Sequence, residues 1–322
     1  MILGLPLAAL QVILLNAIVA LSGYTVIAGG SYSFAFIGFF GVGAYTAGYL
    51  ATQQGVGMWG EIGAVLVLAF LTSLILGRLL IRLGGVYLAM ATVAITSIVG
   101  ALAVNLGSIT GGANGITGIG PPIGTAWLVI SVVVLCAGFF IVSRSRLGRA
   151  MRLLRADPLL ARAMGVNSVS LGTLLFTVSS MIAAYGGVLY AHYYQFVTPT
   201  DFNFTLLIDV LAMIIIGGSR HWSGPLVGAA LITAIPDWLS SIGVWADVIT
   251  GGIVLIIILW APEGIVGSIV LLYRRLRTEL VARRHKSEPL APIGVETSTS
   301  TNGKASLLPL DDPDVTARAG GR

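Results

Sequence analysis

Charge is what this 322-residue chain lacks most: 10% of its residues are Asp, Glu, Lys or Arg, against 56% that are hydrophobic. Residues 1–143 carry only Glu61, Arg78 and Arg82. A soluble domain cannot cover its surface with so little polar material, so the chain reads as a polytopic membrane protein. Cysteine is nearly absent. Cys136 is the only one and lies inside an apolar run, which excludes an internal disulfide or a cysteine metal site and leaves a small buried apolar residue as its reading. The only lysines are Lys286 and Lys304, and neither stands in a G-x-x-x-x-G-K-[ST] motif, so the chain lacks the recognised phosphate cradle. The spans contain no H-E-x-x-H, no G-x-S-x-G and no carboxylate pair, which ranks an intramembrane enzyme last among the function classes.

What is present is a series of long apolar runs. A bilayer core of about 30 Å takes roughly 20 apolar residues per helix, with every backbone group satisfied inside it. About nine runs qualify or nearly so: 7–28, 34–52, 60–81, 84–106, 124–143, 168–193, 203–218, 223–240 and 246–262. The expectation is an all-α, polytopic inner-membrane helical bundle of about nine transmembrane helices, within a range of 8–10. The first run has neither a basic flank nor a small-residue cleavage site, so it reads as a retained helix rather than a signal peptide.

The charges are sorted by sign. Arg78 and Arg82, the loop from Arg144 to Arg162, Arg220, and the cluster from Arg274 to Lys286 fall on one side of a nine-span chain whose N-terminus is outside. By the positive-inside rule that side is cytoplasmic, and the outer loops then hold Glu61, Asp201, Asp237 and Asp247 with no basic residue. Residues 1–272 are expected to form one transmembrane domain, and 273–322 a cytoplasmic tail, basic and then Ser, Thr, Pro and Gly-rich. Too little apolar surface is present in the tail for it to fold alone, so it is expected to be disordered. No nucleic-acid partner is indicated.

Glycine punctuates the runs. Gly43 and Ala47, and Ala183, Gly187 and Ala191, place small residues every fourth position, the pattern of close helix packing. The cluster Gly29-Gly30-Ser31-Tyr32-Ser33 reads either as a broken element lining a pathway or as an interfacial turn. The loop 107–123 is either an ordered cap over the outer mouth or a flexible connection.

The segment 147–167, LGRAMRLLRADPLLARAMGVN, carries the strongest structural signals outside the spans. Asp157 before Pro158 is an N-cap with proline at the first helical position, and Gly165 is a left-handed stop. A helix from Pro158 to Met164 follows, with Leu159, Leu160 and Met164 as apolar surface and Arg162 facing out. An earlier helical piece sets Met151, Leu154 and Arg155 on neighbouring turns. Two uses remain open: a basic helix lying on anionic headgroups, or a docking element for a soluble partner. Candidates for lining a path are Ser31, Ser33, Ser97, Asn105 and Asp209, the last being the only acid well inside a span. His192, beside Tyr190, Tyr193 and Tyr194, fits an interfacial aromatic belt better than a ligand.

Six ordered blocks over about 240 residues then carry a resemblance: GYTVIAGGSYSFAFIGFFGVGAYTAGYL, GGVYLAMATVAITSIV, TGGANGITGIGPP, GRAMRLLRADPLLARAMGVN, GGSRHWSGPLVGAAL and APEGIVG. The chain resembles the LivM/LivH-type permease subunits of branched-chain amino acid ABC importers. It departs from that pattern at Ala156-Asp157-Pro158, where more acid is common, at Ser219-Arg220-His221 after the Gly-Gly turn, and at Ala261, where Arg is common. The resemblance implies that two permease chains, the second a paralogue, form the path. It also implies two ATPase chains holding ATP-Mg, with no cofactor in this chain, and an extracytoplasmic solute-binding protein. Arg149, Arg152, Arg155, Asp157, Pro158, Leu159, Leu160, Arg162, Met164 and Gly165 would then belong to the ATPase-coupling loop. The expected location is the bacterial cytoplasmic membrane with the C-terminus inside. The alternative reading is a stand-alone secondary transporter or channel, which would want several coupling carboxylates at mid-membrane where this chain offers Asp209.

Overall fold

The computed structural model describes residues 7–239, 251–252 and 264–268. In chain order its helices are α1 (Leu7–Ala28), α2 (Ala35–Gln53), α3 (Met58–Leu80), α4 (Gly85–Asn105), α5 (Gly107–Thr110), α6 (Thr125–Arg144), α7 (Arg146–Ala156), α8 (Pro158–Ala163), α9 (Ser168–Tyr194), α10 (Phe204–Gly217) and α11 (Gly224–Leu239). Among the described residues six helices are long and apolar enough to cross a membrane: α1, α2, α3, α4, α6 and α9. They follow the first six apolar runs to within two residues at each end, because an uninterrupted run with no internal proline has no other way to satisfy its backbone in lipid. The next two runs form the shorter apolar helices α10 and α11, of 14 and 16 residues. The run 246–262, apart from residues 251–252, and the tail 273–322 lie outside the described residues.

Burial sorts the long helices into a centre and a rim. In α1, α2 and α9, 67% of the most apolar 18-residue window is inside the protein, against 22% in α3 and 17% in α4 and α6. The rim helices expose Val67, Leu71, Ile75, Met90, Ile98, Val134 and Ile141, side chains suited to lipid. Lipid gives no hydrophobic drive for helices to associate, so close backbone approach and polar contacts must hold the centre together. The small stripe of α2 lies on that of α9, with Gly43 against the carbonyl of Ala184 and Gly187 against the carbonyl of Phe40. Short polar bonds tie the other helices to α1 and α9: Ser179 Oγ donates to the Ser22 carbonyl (2.7 Å), Asn16 Nδ2 to Thr233 Oγ1 (2.9 Å) and Gln11 Nε2 to Thr125 Oγ1 (2.8 Å). The hydroxyls of Ser131 and Tyr185 meet at 2.6 Å.

The bundle has two chemically distinct ends. Arg78, Arg144 and Arg155 lie in the last turns of α3, α6 and α7, and Arg220 in the α10–α11 turn. Arg144 lays its guanidinium 4.2 Å from the Phe140 ring centre, as a cation does when its stem runs along apolar surface. At the opposite end the loop 107–123 is ordered. Strand β1 (Ile116–Thr117) pairs antiparallel with β2 (Phe196–Val197), and Gln195 donates from Nε2 to the Gly120 carbonyl (3.0 Å). The structure thus shows this loop as an ordered, strand-paired connection.

Here also lies a feature that the residue-by-residue reading separated. Glu61, expected in an outer loop, sits in the first turn of α3, and His192, expected in an aromatic belt, is in the last turn of α9. Both are buried, and His192 Nε2 meets Glu61 Oε2 at 2.6 Å. Hydropathy treats the two as isolated polar residues near span ends, whereas the antiparallel packing of α3 on α9 makes them one buried pair.

Candidate functional site: a clamped helical loop at the arginine-rich end

The loop between α6 and α9 is built from local rules. Ser145 N-caps α7, its Oγ accepting from the Gly148 N–H (3.4 Å). One face of α7 buries Met151 and Leu154 against Tyr24 and Ala28 of α1 and Leu171 and Leu175 of α9. That apolar stripe is therefore spent on the bundle and not on lipid. Asp157 ends α7 and starts α8: its Oδ1 accepts from the N–H groups of Leu159 (2.8 Å) and Leu160 (3.1 Å), with Pro158 at the first helical position. Gly165 turns the chain at φ 80°, a conformation glycine adopts without steric cost, and Asn167 Oδ1 then caps α9 by accepting from Val169 and Ser170.

Three caps in 23 residues, Ser145 to Asn167, hold this loop in one shape. Ala161 is fully buried beneath α8, while Leu159 (75%), Leu160 (50%) and Met164 (71%) are exposed above it. Apolar side chains held outward on a rigid, capped turn form a knob, the shape that fills a cleft on a partner.

The arginines also tie the loop to the rest of the chain. Arg155 donates from Nη1 to the Ser219 carbonyl (2.5 Å) and from Nη2 to the Ser219 hydroxyl (2.8 Å), bridging α7 to the α10–α11 turn. Its Cα also lies 2.9 Å from where a Gly30 side chain would begin, so the α1–α2 turn packs directly beneath. Arg152 donates to the Ser143 carbonyl (3.1 Å), Arg149 to the Arg144 carbonyl (3.4 Å) and Arg162 to Ser168 Oγ (3.2 Å). These exposed cations make hydrogen bonds within the chain, and Leu159, Leu160 and Met164 stand outward beside them. Ser219 was visible in the sequence as a departure from the resembling family, but its partner lies 64 residues away. Nearby, burial holds the His221 imidazole below its usual pKa, which favours its neutral form beside Arg152, Arg155 and Arg220.

The path candidates are not gathered at one point. Ser31 and Ser33 lie in the α1–α2 turn, where Ser33 is buried. The end of that turn is held by α4: the Phe34 N–H donates to Thr92 Oγ1 (3.0 Å) and the Phe34 carbonyl accepts from Thr96 Oγ1 (3.4 Å). Thr92 is seven residues into α4, about 10 Å along the helix, so two hydroxyls cover irregular backbone well inside the span. Ser97 lines a cavity of about 420 Å³ between α4 and residues 199–207, shared with Thr96, Thr200 and Asn203. Asn105 stands exposed at the end of α4, donating to the Ala101 carbonyl (2.8 Å), and Asp209 lies on the exposed face of α10. Among the described residues no group of three or more His, Cys, Asp or Glu side chains is arranged to hold a metal.

With this geometry in hand, comparison with known proteins is specific. The family described as the branched-chain amino acid transport system permease component matches residues 5–259. The high-affinity branched-chain amino acid transport system permease protein LivM of Escherichia coli is 27% identical over 285 residues, 78% of this chain and 65% of LivM, and LivM of Salmonella typhimurium matches equally. The chain thus spans 65% of the length of these relatives. LivH of Escherichia coli is 29% identical over 144 residues, 44% of this chain and 46% of LivH. A solved metal-chelate type ABC transporter in an inward-facing conformation aligns over 83% of this chain and 84% of its own at 20% identity, with a TM-score of 0.43, too loose to add to the assignment.

Proposed function

The chain belongs to the family of branched-chain amino acid transport permease components, and from that premise we propose that it is the membrane permease subunit of an ATP-driven importer. The solute is a branched-chain amino acid or a similar small polar molecule. Two ATPase subunits holding ATP-Mg, a second permease chain and an extracytoplasmic binding protein complete the assembly. The arginine-rich end and the C-terminal tail then lie in the cytoplasm of a bacterial inner membrane, as the excess of positive charge favours.

The observation that carries this reading is the capped loop with Leu159, Leu160 and Met164 held outward and its root clamped to three other elements. An ATPase gripping that knob moves α7, and α7 cannot move without disturbing α1, α9 and the α10–α11 turn. Such a rigid link lets ATP-driven closure favour one arrangement of the helices over another, which is what coupling between distant sites requires. The cavity beside Ser97 falls within the roughly 300–1,000 Å³ typical of small-molecule sites, and supports placing the path between α4 and α10.

The test is purification of the tagged full chain from its native membrane in mild detergent, with identification of what comes with it. An ATPase and a second permease are expected with the wild type. Leu159→Asp with Leu160→Asp lowers ATPase recovery by about tenfold or more, since each buried interface leucine contributes on the order of 1 kcal/mol. Unchanged ATPase recovery in that variant refutes the knob. Absence of any ATPase across several detergents refutes the importer.

A further inference from the structure

A second cavity, about 440 Å³, runs along the outside of the bundle between α3 and α9. The two helices are antiparallel neighbours: Glu61 meets His192, Gly77 lies against Phe176, and Gly172 lies against Ile81. The groove is graded along its length. Phe70, Leu74 and Leu174 wall one end, while Arg78, Arg82, Asn167 and Ser170 surround the other. From Phe70 to Arg78 is eight residues, about 12 Å along α3, and Arg82 follows two residues past its end.

The polar end is rich in unused donors. Arg78 lies in the last turn of α3 and Arg82 in the turn that follows it; both are exposed, line the groove and have no hydrogen bond or ion-pair partner among the described residues. Asn167 uses its Oδ1 to cap α9, which leaves its amide hydrogens available where the positive end of a 27-residue helix also points. Along the groove, Thr173 and Thr177 are 8% and 4% exposed, and their buried hydroxyls have no partner among the described residues.

We propose that this groove binds an anionic glycerophospholipid from the leaflet at the arginine-rich end. The phosphate takes hydrogen bonds from Arg78, Arg82 and Asn167, and an acyl chain lies along Phe70, Leu74 and Leu174. Free phosphate would match the cations but not the apolar length. A soluble protein partner would not follow the groove up the side of a span. Basic pockets between spans are a known means of holding lipid headgroups. Bound here, the lipid braces the start of α9, where the clamped loop joins the bundle.

Full chain is exchanged into nanodiscs of equal phosphatidylglycerol and phosphatidylcholine, released, and its retained lipid quantified by native mass spectrometry. Wild type retains phosphatidylglycerol in preference. Each guanidinium near an anionic surface contributes about a factor of five, so Arg78→Gln with Arg82→Gln lowers that retention about twentyfold. Leu174→Trp, which fills the groove and leaves both arginines, lowers it too, while Arg146→Gln with Arg149→Gln leaves it unchanged. Excess inorganic phosphate does not displace the lipid. Equal loss from both arginine pairs, retention in Leu174→Trp, displacement by phosphate, or no preference in the wild type each overturns the proposal.

Discussion

Replacing Glu61 alone by leucine is expected to destabilise the chain by about 3–5 kcal/mol, and replacing Glu61 and His192 together to recover most of that loss. The pair is buried at 2.6 Å, with side chains 2% and 3% exposed. Taking two such groups out of water is costly, and their mutual attraction offsets that cost only while both are present. The helices suit the pair's placement: the first turn of α3, where Glu61 stands, favours an acidic side chain, and the last turn of α9, where His192 stands, favours a basic one. Leucine at position 61 removes the partner and leaves His192 buried with Nδ1 already unpartnered among the described residues. Leucine at both positions removes the polar groups and keeps apolar volume. Denaturant unfolding in detergent measures the difference, and a double variant as unstable as the single would show that the two residues are not one unit.

The second large effect is expected at the α2–α9 contact. A β-carbon at Gly43 would run into the Ala184 backbone, and one at Gly187 into the Phe40 carbonyl and the Ala44 nitrogen, 2.7 Å away in the latter case. Backbone cannot rotate aside as a side chain can, so the two central helices must separate and lose dispersion contact along their whole length. Gly43→Val should cost about 3 kcal/mol or more, the upper end for overpacking, and sharply lower the folded fraction on size-exclusion chromatography. Gly63→Val, on the exposed face of α3 with open space around it, should stay within about 0.5 kcal/mol of wild type. Comparable losses at both positions would remove the close approach as the cause.

Much of the fold was legible because lipid restricts the chain so severely. The boundaries of α1 and α9 followed from hydropathy alone, the small stripes at Gly43 and Gly187 pointed to close packing, and Asp157-Pro158 with Gly165 marked α8 to within one residue. The missing information concerned pairings between distant residues. Glu61 and His192 are 131 positions apart, and Arg155 and Ser219 are 64 apart. A single sequence gives each partner a local reading, the acid as a loop residue and the arginine as a docking group, and only packing joins them. The α1–α2 glycine cluster stayed open for the same reason. Its attachment to α4 depends on the hydroxyls of Thr92 and Thr96, which a pass along the chain counts as ordinary helix residues.

The central claim, that this chain is the membrane half of an ATP-driven importer, is most directly tested by uptake of radiolabelled leucine into proteoliposomes. They contain the chain with the proteins that co-purify with it, the binding protein outside and ATP-Mg inside. The account predicts accumulation that requires hydrolysable ATP and the binding protein, ignores an imposed proton or sodium gradient, and is lost with Leu159→Asp and Leu160→Asp. Gradient-driven accumulation by the chain alone, without ATP, would contradict it.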